Sequence, residues 1–453
     1  MNDFPLYQAP YIGNGMVIGA NAVLHVFISH GIAIGAFAML AFADAALVRG
    51  YLEPDKHWDA FLHRFLKFTV IMVTVVGSVT GAGIWFTTNA LAARASASLL
   101  HMFFWPWFVE YIVFILEAAL LLYYYLYWDS FSKFARGWMT LPYFGLVLSS
   151  AVLVTGILGF MLTPGDWPRT GSFTSAYFNP SFLPQLATRI LFALVIGELL
   201  AIAFVLPFRA ATRFTAAALK LFGLWLALTL PALVVAAWAY YYSVPFGSTT
   251  WIDFAVLTSN LSQHAWLMTL GNIAGIALVV GVAAAALRGR VRLVAALIFP
   301  ALAYSFLFVA QFERIREFIR GPYLMPGYMF ANTLLLEEEP FFRSTSTLRN
   351  SYWYQRSPGG DSVYEAGAYL FGLNCSGCHT IGGLNDINRR VAGRTEDGLY
   401  VVISRVHEMV PFMPPFSGNE KERRIIARFL YQLNAGKVAM RSDARFQPRT
   451  EGQ

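Results

Sequence analysis

The chain has 453 residues, of which 57% are hydrophobic and 13% are charged, and its mean hydropathy is +0.53. Soluble domains carry about 25% charged residues, so this composition excludes an ordinary soluble protein and indicates a membrane protein. The net charge of +7 does not indicate nucleic-acid binding, because the basic residues fall at predicted helix ends. The two cysteines are too few for a disulfide framework.

Eight apolar segments are long enough to cross a bilayer, which needs roughly 20 helical residues. They cover residues 16–47, 64–87, 101–127, 139–163, 186–207, 215–242, 262–287 and 291–312. The first is over-long, which predicts a tilted helix or one that begins on the membrane surface. Its apolar run is too long for a signal peptide and has no basic region before it, so we expect no cleavable signal.

Lysine and arginine are distributed unevenly among the connections between these segments. The first, third, fifth and seventh connections hold twelve: Arg49, Lys56, Arg64, Lys67, Lys133, Arg136, Arg209, Arg213, Lys220, Arg288, Arg290 and Arg292. The alternate connections hold three, Arg94, Arg169 and Arg189. Cytoplasmic loops carry the basic excess, so the N-terminus and the region after the eighth segment are predicted on the periplasmic side of a bacterial inner membrane.

The composition changes after about residue 313, where charges, proline and serine appear. We therefore predict a transmembrane bundle over residues 1–325, a linker over 326–360, a compact helical domain over 361–440 and a tail over 441–453. Helices are expected in this domain near 362–374, 396–407 and 419–433, the last opened by Asn419 with Glu422 three residues on. The predicted fold is all-α: a polytopic bundle of about eight helices with a small extracytoplasmic all-α domain.

The two cysteines lie in the segment Cys375-Ser376-Gly377-Cys378-His379, which is the haem c attachment pattern. Two thiols at this spacing add across the haem vinyl groups, and the adjacent His379 binds the iron. The alternative, a small Cys/His metal site, would need a second ligand pair. Haem c is attached outside the cytoplasmic membrane, which agrees with the predicted orientation.

Three downstream side chains are candidates for the sixth ligand of this iron: His407, Met409 and Met413. Met413 precedes two prolines, and a loop held by prolines would fix the position of its sulfur. The arrangement resembles class I cytochromes c, whose methionine ligand lies in such a loop before the last helix. We therefore expect Met413 to bind the iron.

Ionisable side chains inside predicted membrane helices mark functional sites by default. His25, His30, His101 and His264 fall toward the predicted outer half of the membrane and are candidate ligands of a haem b. His25 and His30 are five residues apart, roughly 140° around a helix, so they cannot easily bind the same iron. One would be a ligand, and the other a partner for a propionate or a proton.

Carboxylates form a second group of this kind. Glu110 and Glu117 are two turns apart on the third predicted helix and therefore share a face, and Glu198 lies in the fifth. Such residues indicate a proton path or contacts at a haem edge. The alternative is a hydrogen bond between helices.

Three stretches of the helical region resemble subunit I of the cytochrome bd quinol oxidases, in the same order and over about residues 15–325. The stretches are Leu24-His25-Val26-Phe27 on to Gly35, Phe114-Ile115-Leu116-Glu117 with Tyr127-Trp128-Asp129, and Glu317-Phe318-Ile319-Arg320-Gly321-Pro322-Tyr323. The spacing from His25 to Gly35 is one residue off that of the family. The resemblance implies that Glu317 is a haem ligand and that Arg320 pairs with a propionate.

The sequence departs from that family in places that bear on function. The family's low-spin haem ligand in the fifth helix is a histidine, whereas the matching stretch here, Leu186-Ala187-Thr188-Arg189-Ile190-Leu191, has none. His264 and Met268 lie near the family's methionine ligand. The large quinol-binding loop is missing, and a cytochrome c domain replaces the ninth helix. We expect one covalent haem c and one or more haem b, with haem d as an alternative to haem b.

Three functions fit these observations. The chain would be a respiratory cytochrome that moves electrons between haem b, with the quinone pool, and haem c on the periplasmic side. It would alternatively be a terminal oxidase fed by cytochrome c, or a membrane anchor that presents haem c within a larger complex. The expected partners are quinol, periplasmic cytochromes or other redox subunits, and a second membrane subunit.

Overall fold

The computed structural model describes residues 4–244, 265–356 and 362–436. Within these ranges, eight helices are long and apolar enough to cross a membrane, which confirms the predicted all-α polytopic bundle. They are α1 (Asn14–Val48), α2 (Lys56–Leu91), α3 (Phe104–Leu126), α4 (Lys133–Phe160), α5 (Phe182–Val205), α6 (Thr212–Ser243), α7 (Ala265–Leu287) and α8 (Val291–Ile319).

Two helix ends differ from the sequence prediction for identifiable reasons. Helix α2 begins two turns earlier than expected, because Asp55 caps it by accepting the amide N–H of His57 at 2.8 Å and its first turns bury Trp58 and Phe61. The third predicted segment is broken at Phe103. His101 therefore lies on a separate short helix, Ala93–Met102, that precedes α3.

Helices α1 and α5 cross with their backbones in contact. A Cβ added to Gly35 would overlap the carbonyl oxygen of Ala193, and one added to Gly197 would overlap the backbone of Gly35. Small residues allow this close approach in membrane helices. The crossing places α5 against the middle of α1, next to the predicted haem-ligand histidines.

The middle of α1 and the middle of α2 are not α-helical. Residues Ser29–Ala36 and Met72–Gly77 form π-helical stretches that pack against each other. A π-helix hydrogen bond spans one more residue than an α-helical one, and such stretches are frequent at functional sites. The first stretch begins four residues after His25 and contains Gly35, which gives a physical reason for the one-residue difference in their spacing.

A short antiparallel hairpin, β1 (Tyr323–Met325) and β2 (Met329–Phe330), follows α8. Met325 and Met329 are fully buried against residues at the ends of α3 and α4, including Phe103 and Phe160. Arg94 donates two hydrogen bonds to the carboxylate of Glu338, each with an N–O distance of 2.8 Å. The first part of the predicted linker is therefore packed on the bundle, while the proposed division into domains stays a prediction.

The C-terminal region contains α9 (Val363–Asn374), α10 (Glu396–Ser404) and α11 (Glu420–Asn434), as the sequence predicted. Asn419 and Glu422 form the expected capping box, in which each side chain accepts the other's backbone N–H at 3.1 and 3.0 Å. Glu422 also accepts the amides of Thr347 and Leu348. One buried carboxylate thus joins α11 to the segment that arrives from the bundle. The predicted tail, 441–453, lies outside the described residues.

Candidate functional site

The predicted haem c attachment segment, Cys375–His379, forms one helical turn at the end of α9. The amide N–H groups of Cys378 and His379 both donate to the carbonyl of Cys375, at 3.1 and 2.8 Å. Both cysteines are free thiols; Cys375 is half-buried and Cys378 is exposed. Two thiols and an imidazole on one turn fit the donor set that haem c requires.

His379 is held in a state that suits an iron ligand. Burial lowers the pKa of its imidazole, so that the ring is neutral at neutral pH. The side chain of Asn385 donates to the carbonyl of Cys378 at 2.6 Å and fixes the loop that follows. Among the described residues, no group of three or more His, Cys, Asp or Glu side chains is arranged to hold a metal ion.

The three candidates for the sixth ligand have different surroundings. Nδ1 of His407 lies 2.7 Å from the carbonyl oxygen of Met413, so His407 supports the loop that carries Met413. Met413 is half-buried, and its amide donates to Val410 at 2.8 Å. The side chain of Met409 is 55% exposed. These contacts favour Met413 as the ligand, which stays a prediction.

His25 of α1 is hydrogen-bonded to α2. Its Nδ1 lies 3.0 Å from Oγ1 of Thr80, and Thr80 in turn donates its hydroxyl proton to the carbonyl of Val76 at 2.8 Å. Thr80 can therefore only accept from the ring, which puts the proton of a neutral His25 on Nδ1. This tautomer leaves the Nε2 lone pair for an iron, as in other sites where a second residue orients the ligand.

His30 is engaged through both ring nitrogens. Its Nδ1 lies 3.0 Å from Oγ of Ser29, and its Nε2 lies 3.3 Å from Nη1 of Arg189. A guanidinium only donates, so Nε2 of His30 acts as the acceptor. The two histidines that the sequence left undecided thus have different contacts, and which of them binds a haem iron stays a prediction.

Arg189 belongs to a charged group between α1, α5 and α8, which we term the arginine cluster: His30, Arg189, Glu313 and Arg316. Glu313 lies 2.7 Å from Nη2 of Arg316 and 3.7 Å from Nη2 of Arg189. Arg189 is only 7% exposed. From the sequence, Arg189 is placed in a connection and at the position of a missing histidine, whereas it lies inside α5. A charge within an apolar helix is itself a signal for a site.

Glu117 lies in the interior of the bundle, as its place on an otherwise apolar helix indicated. It is 6% exposed, and its Oε1 has no hydrogen-bond partner among the described residues. Tyr143 of α4 and Glu110 of α3 are close enough to interact with it electrostatically. Glu110 accepts a hydrogen bond from Ser150 at 3.2 Å. These residues form a polar row within the apolar bundle.

A second buried acid, Asp44, lies near the other end of the bundle and was not foreseen from the sequence. It is 1% exposed, and its Oδ2 is unpartnered within the described part of the chain. Tyr124 and Arg136 interact with it electrostatically. Arg136 donates to Asp59 at 2.9 Å and stacks on Trp128, with 4.2 Å between the guanidinium carbon and the ring centre.

The remaining candidates are placed as follows. Glu198 of α5 accepts the hydroxyl proton of Thr229 of α6 at 2.6 Å, which is a hydrogen bond between helices. His101 is exposed and hydrogen-bonded to Ala97, so it is not a buried ligand.

Glu317 lies in the last turns of α8, and its side chain is outside the described part of the chain. Arg320 follows that helix and is half-buried. His264 lies outside the described residues.

Comparison with known proteins supports the fold. No protein-family model matches this chain, and no curated protein is similar to it. The structure is similar to that of the bd oxidase from Geobacillus thermodenitrificans, with a TM-score of 0.57 and 18% identity over 72% of this chain and 90% of that chain. This chain is therefore a multi-pass membrane protein whose helical bundle is bd-oxidase-like in fold.

Proposed function

We propose that this chain is a membrane-bound respiratory cytochrome that transfers electrons between a haem b in the bundle and a haem c on the periplasmic side. The proposal depends on the fact that one chain contains both a membrane bundle and a Cys-x-x-Cys-His turn. A bundle with the fold of a bd oxidase bears a Cys-x-x-Cys-His turn at one end of its helices. A bound haem supplies the redox chemistry, and the protein positions it and sets its surroundings.

The chain's own residues fit a membrane haem near His25. Its Nδ1 hydrogen bond to Thr80 orients the ring, and Nε2 is left to bind iron. Arg189 and Arg316 of the arginine cluster provide cationic groups suited to haem propionates, together with Arg320. Glu317 and His264 remain proposed ligands by resemblance.

The arrangement supports a periplasmic position for the haem c turn. The basic excess falls at the opposite end of the bundle, in the connections from α1 to α2, α3 to α4, α5 to α6 and α7 to α8 and in the first turns of the helices that follow them. Cytoplasmic loops carry such an excess. Quinol, periplasmic cytochromes or other redox subunits, and a second membrane subunit are the proposed partners, in keeping with the similarity of the bundle to that of a bd oxidase.

The first experiment is a pyridine haemochrome spectrum of the purified chain, which counts b, c and d haems per polypeptide. One haem c with one or more haem b supports the proposal. A haem d signal in place of haem b would favour oxygen chemistry. Haem c alone would overturn the proposal and leave a membrane anchor for a cytochrome c.

A second function, a terminal oxidase fed by cytochrome c, is favoured by one specific observation. Glu117 leaves a buried carboxylate oxygen unpartnered beside Tyr143, among the described residues, which suits the delivery of protons to an oxygen-reducing haem. Oxygen uptake driven by reduced cytochrome c would select this function. Its absence in a preparation that contains both haems would select simple electron transfer.

A further inference from the structure

Residues 4–13, which precede α1, lie along the C-terminal region rather than apart from it. We term them the N-terminal segment. Leu6 packs against the hydrophobic core that contains Tyr369 and Phe429. Gln8 lies in contact with Gly372 of α9, one turn before the haem c attachment turn.

The N-terminal segment also pairs with the loop that follows His379. The amide of Leu384 donates to the carbonyl of Tyr11 at 2.7 Å. Gly383 has no room for a side chain, because an added Cβ would overlap the backbone of Tyr11. Tyr11 has a φ of +62°, a conformation that non-glycine residues rarely adopt. The segment is thus fitted closely to the loop around the haem c turn.

The same segment is fixed to the membrane helices through Asn14, the first residue of α1. Its side chain accepts the amide of Ala9 at 2.8 Å and donates to the carbonyl of Tyr7 at 3.1 Å and to that of Leu91, at the end of α2, at 3.5 Å. Asn14 is 6% exposed. A buried amide with these three partners holds the segment in one position.

The haem c turn itself caps α1. The first amides of a helix have no partner within the helix. One of them, the N–H of Gly15, donates to the carbonyl of Gly377, between the two haem c cysteines, at 3.2 Å. His25 lies ten residues further along the same helix, about 15 Å at 1.5 Å per residue. One continuous helix therefore joins the haem c turn to the proposed membrane ligand.

We propose that the N-terminal segment is a positioning element that holds haem c at a fixed place over α1, so that electrons pass within this chain. This rests on the proposed function. One electron moves between the haem c iron and the membrane haem iron, one being oxidised as the other is reduced. The alternative is a haem c domain that swings on a tether to reach its partner.

Two independent variants loosen the segment without touching a ligand. In Gly383→Ala the new methyl group displaces the Tyr11 backbone. In Tyr11→Pro the ring fixes φ near −65° and excludes the observed positive value. The matched controls are Gly19→Ala, at a position of α1 where a Cβ meets nothing within 4 Å, and Tyr11→Gly, because glycine retains a positive φ.

The C-terminal region should stay folded in these variants, because other contacts hold it. Asn332 donates to Asn374 and to the carbonyl of Pro415 at 3.4 and 3.1 Å, and Glu422 binds the amides of Thr347 and Leu348. An unchanged haem c spectrum confirms this. Whether the segment has been released is read from hydrogen exchange of the peptide around Leu384, which needs no membrane haem.

The decisive measurement is the rate of electron equilibration between the two haems after a flash-reduced flavin reduces haem c in the full chain. We expect Gly383→Ala and Tyr11→Pro to slow it roughly tenfold or more, because transfer depends on a held geometry. Gly19→Ala and Tyr11→Gly should leave it unchanged. Faster exchange at Leu384 with an unchanged rate would overturn the positioning role and leave the proposed function standing. A chain without membrane haem would overturn both.

Discussion

The acidic residues in two regions of the bundle differ in the partners that surround them. In the arginine cluster, next to the end that bears the hairpin, Glu313 is paired with both Arg189 and Arg316. In the middle and toward the other end, Glu117, Glu198 and Asp44 each leave one buried carboxylate oxygen without a partner among the described residues. In the first region the acid forms ion pairs with arginines. In the second region each acid has an oxygen with no hydrogen-bond partner among the described residues.

This difference separates two tasks that a membrane redox protein must perform. Fixed, paired charges beside a haem stabilise its propionates and set its electrostatic surroundings. A buried carboxylate without a partner is costly when charged, so it suits a group that takes up and releases protons. We therefore expect substitutions in the first region to affect haem binding and stability, and those in the second to affect proton-linked turnover.

The largest expected effect is the loss of a whole haem. In His25→Ala the non-covalent haem should be absent while haem c remains, because Nε2 of His25 is the nitrogen left to bind iron. His30→Ala should retain the haem, because Nε2 of His30 already contacts Arg189. The ratio of haem b to haem c in the pyridine haemochrome spectrum checks both. The reverse outcome would make His30 the ligand and would exclude His25.

The next effect is on stability. Glu313→Gln removes the carboxylate that pairs with Arg189 and Arg316. Breaking a fully buried ion pair costs about 3–5 kcal/mol, and the cost here should be below that range because Glu313 and Arg316 are only partly buried. We expect a markedly lower midpoint of thermal unfolding in detergent. Glu339→Gln is the control, because the Arg343–Glu339 pair is longer, at 3.6 Å, and Arg343 is largely exposed.

A second substitution tests whether pairing is the cause. Arg189→Gln combined with Glu313→Gln removes one charge of each sign, so the double variant should regain part of the stability that Glu313→Gln loses. If both variants unfold at the same midpoint as each other, the loss comes from packing and not from charge pairing.

A smaller and different effect is expected at Glu117. Glu117→Gln keeps the shape of the side chain and removes a carboxylate that has no hydrogen bond at Oε1, so stability should change little. If the chain is an oxidase, oxygen uptake with reduced cytochrome c should fall about 100-fold, the size of effect typical for a lost proton-transfer group. Ser150→Ala, which removes only the hydrogen bond to Glu110, is the matched control. Full uptake in Glu117→Gln would remove Glu117 from the proton path.

The sequence predicted the features that depend on local patterns. Long apolar runs predicted eight helices, and the Asn419–Glu422 capping box depends on residues only three positions apart. The Cys375–His379 turn is equally local, and its attachment to haem c stays a prediction. The prediction placed His101 within a continuous membrane helix because the apolar run does not reveal the break at Phe103. That break is a matter of backbone geometry, and it leaves His101 exposed on a separate helix.

The features that the sequence did not predict depend on distant residues. Arg189 and Glu313 come together because α5 and α8 pack side by side, although they are far apart in sequence. Only the pair of Glu313 with Arg316, three residues on, is local. The choice between His25 and His30 depends on Thr80 in another helix and on Arg189 in a third. The π-helical stretch Ser29–Ala36, which contains His30, shifts the helical phase, and an assumption of 3.6 residues per turn cannot anticipate this shift.

The smallest predicted effect concerns the ion pair outside the membrane that joins the bundle to the segment after the hairpin. Burial alone would raise the pKa of Glu338, but the hydrogen bonds and charge of Arg94 outweigh it and hold the pKa below its ordinary value. A depressed pKa stabilises the folded chain above the ordinary pKa, and this stabilisation is lost as the pH falls through the folded value. We expect the thermal midpoint to fall between about pH 5 and pH 3, with about 1 kcal/mol from this pair. Glu338→Gln should flatten this dependence of the thermal midpoint on pH, and Glu339→Gln should not. If the unchanged chain and both variants show equal slopes, the pair of Arg94 and Glu338 is not a titrating contact between the bundle and the segment after the hairpin.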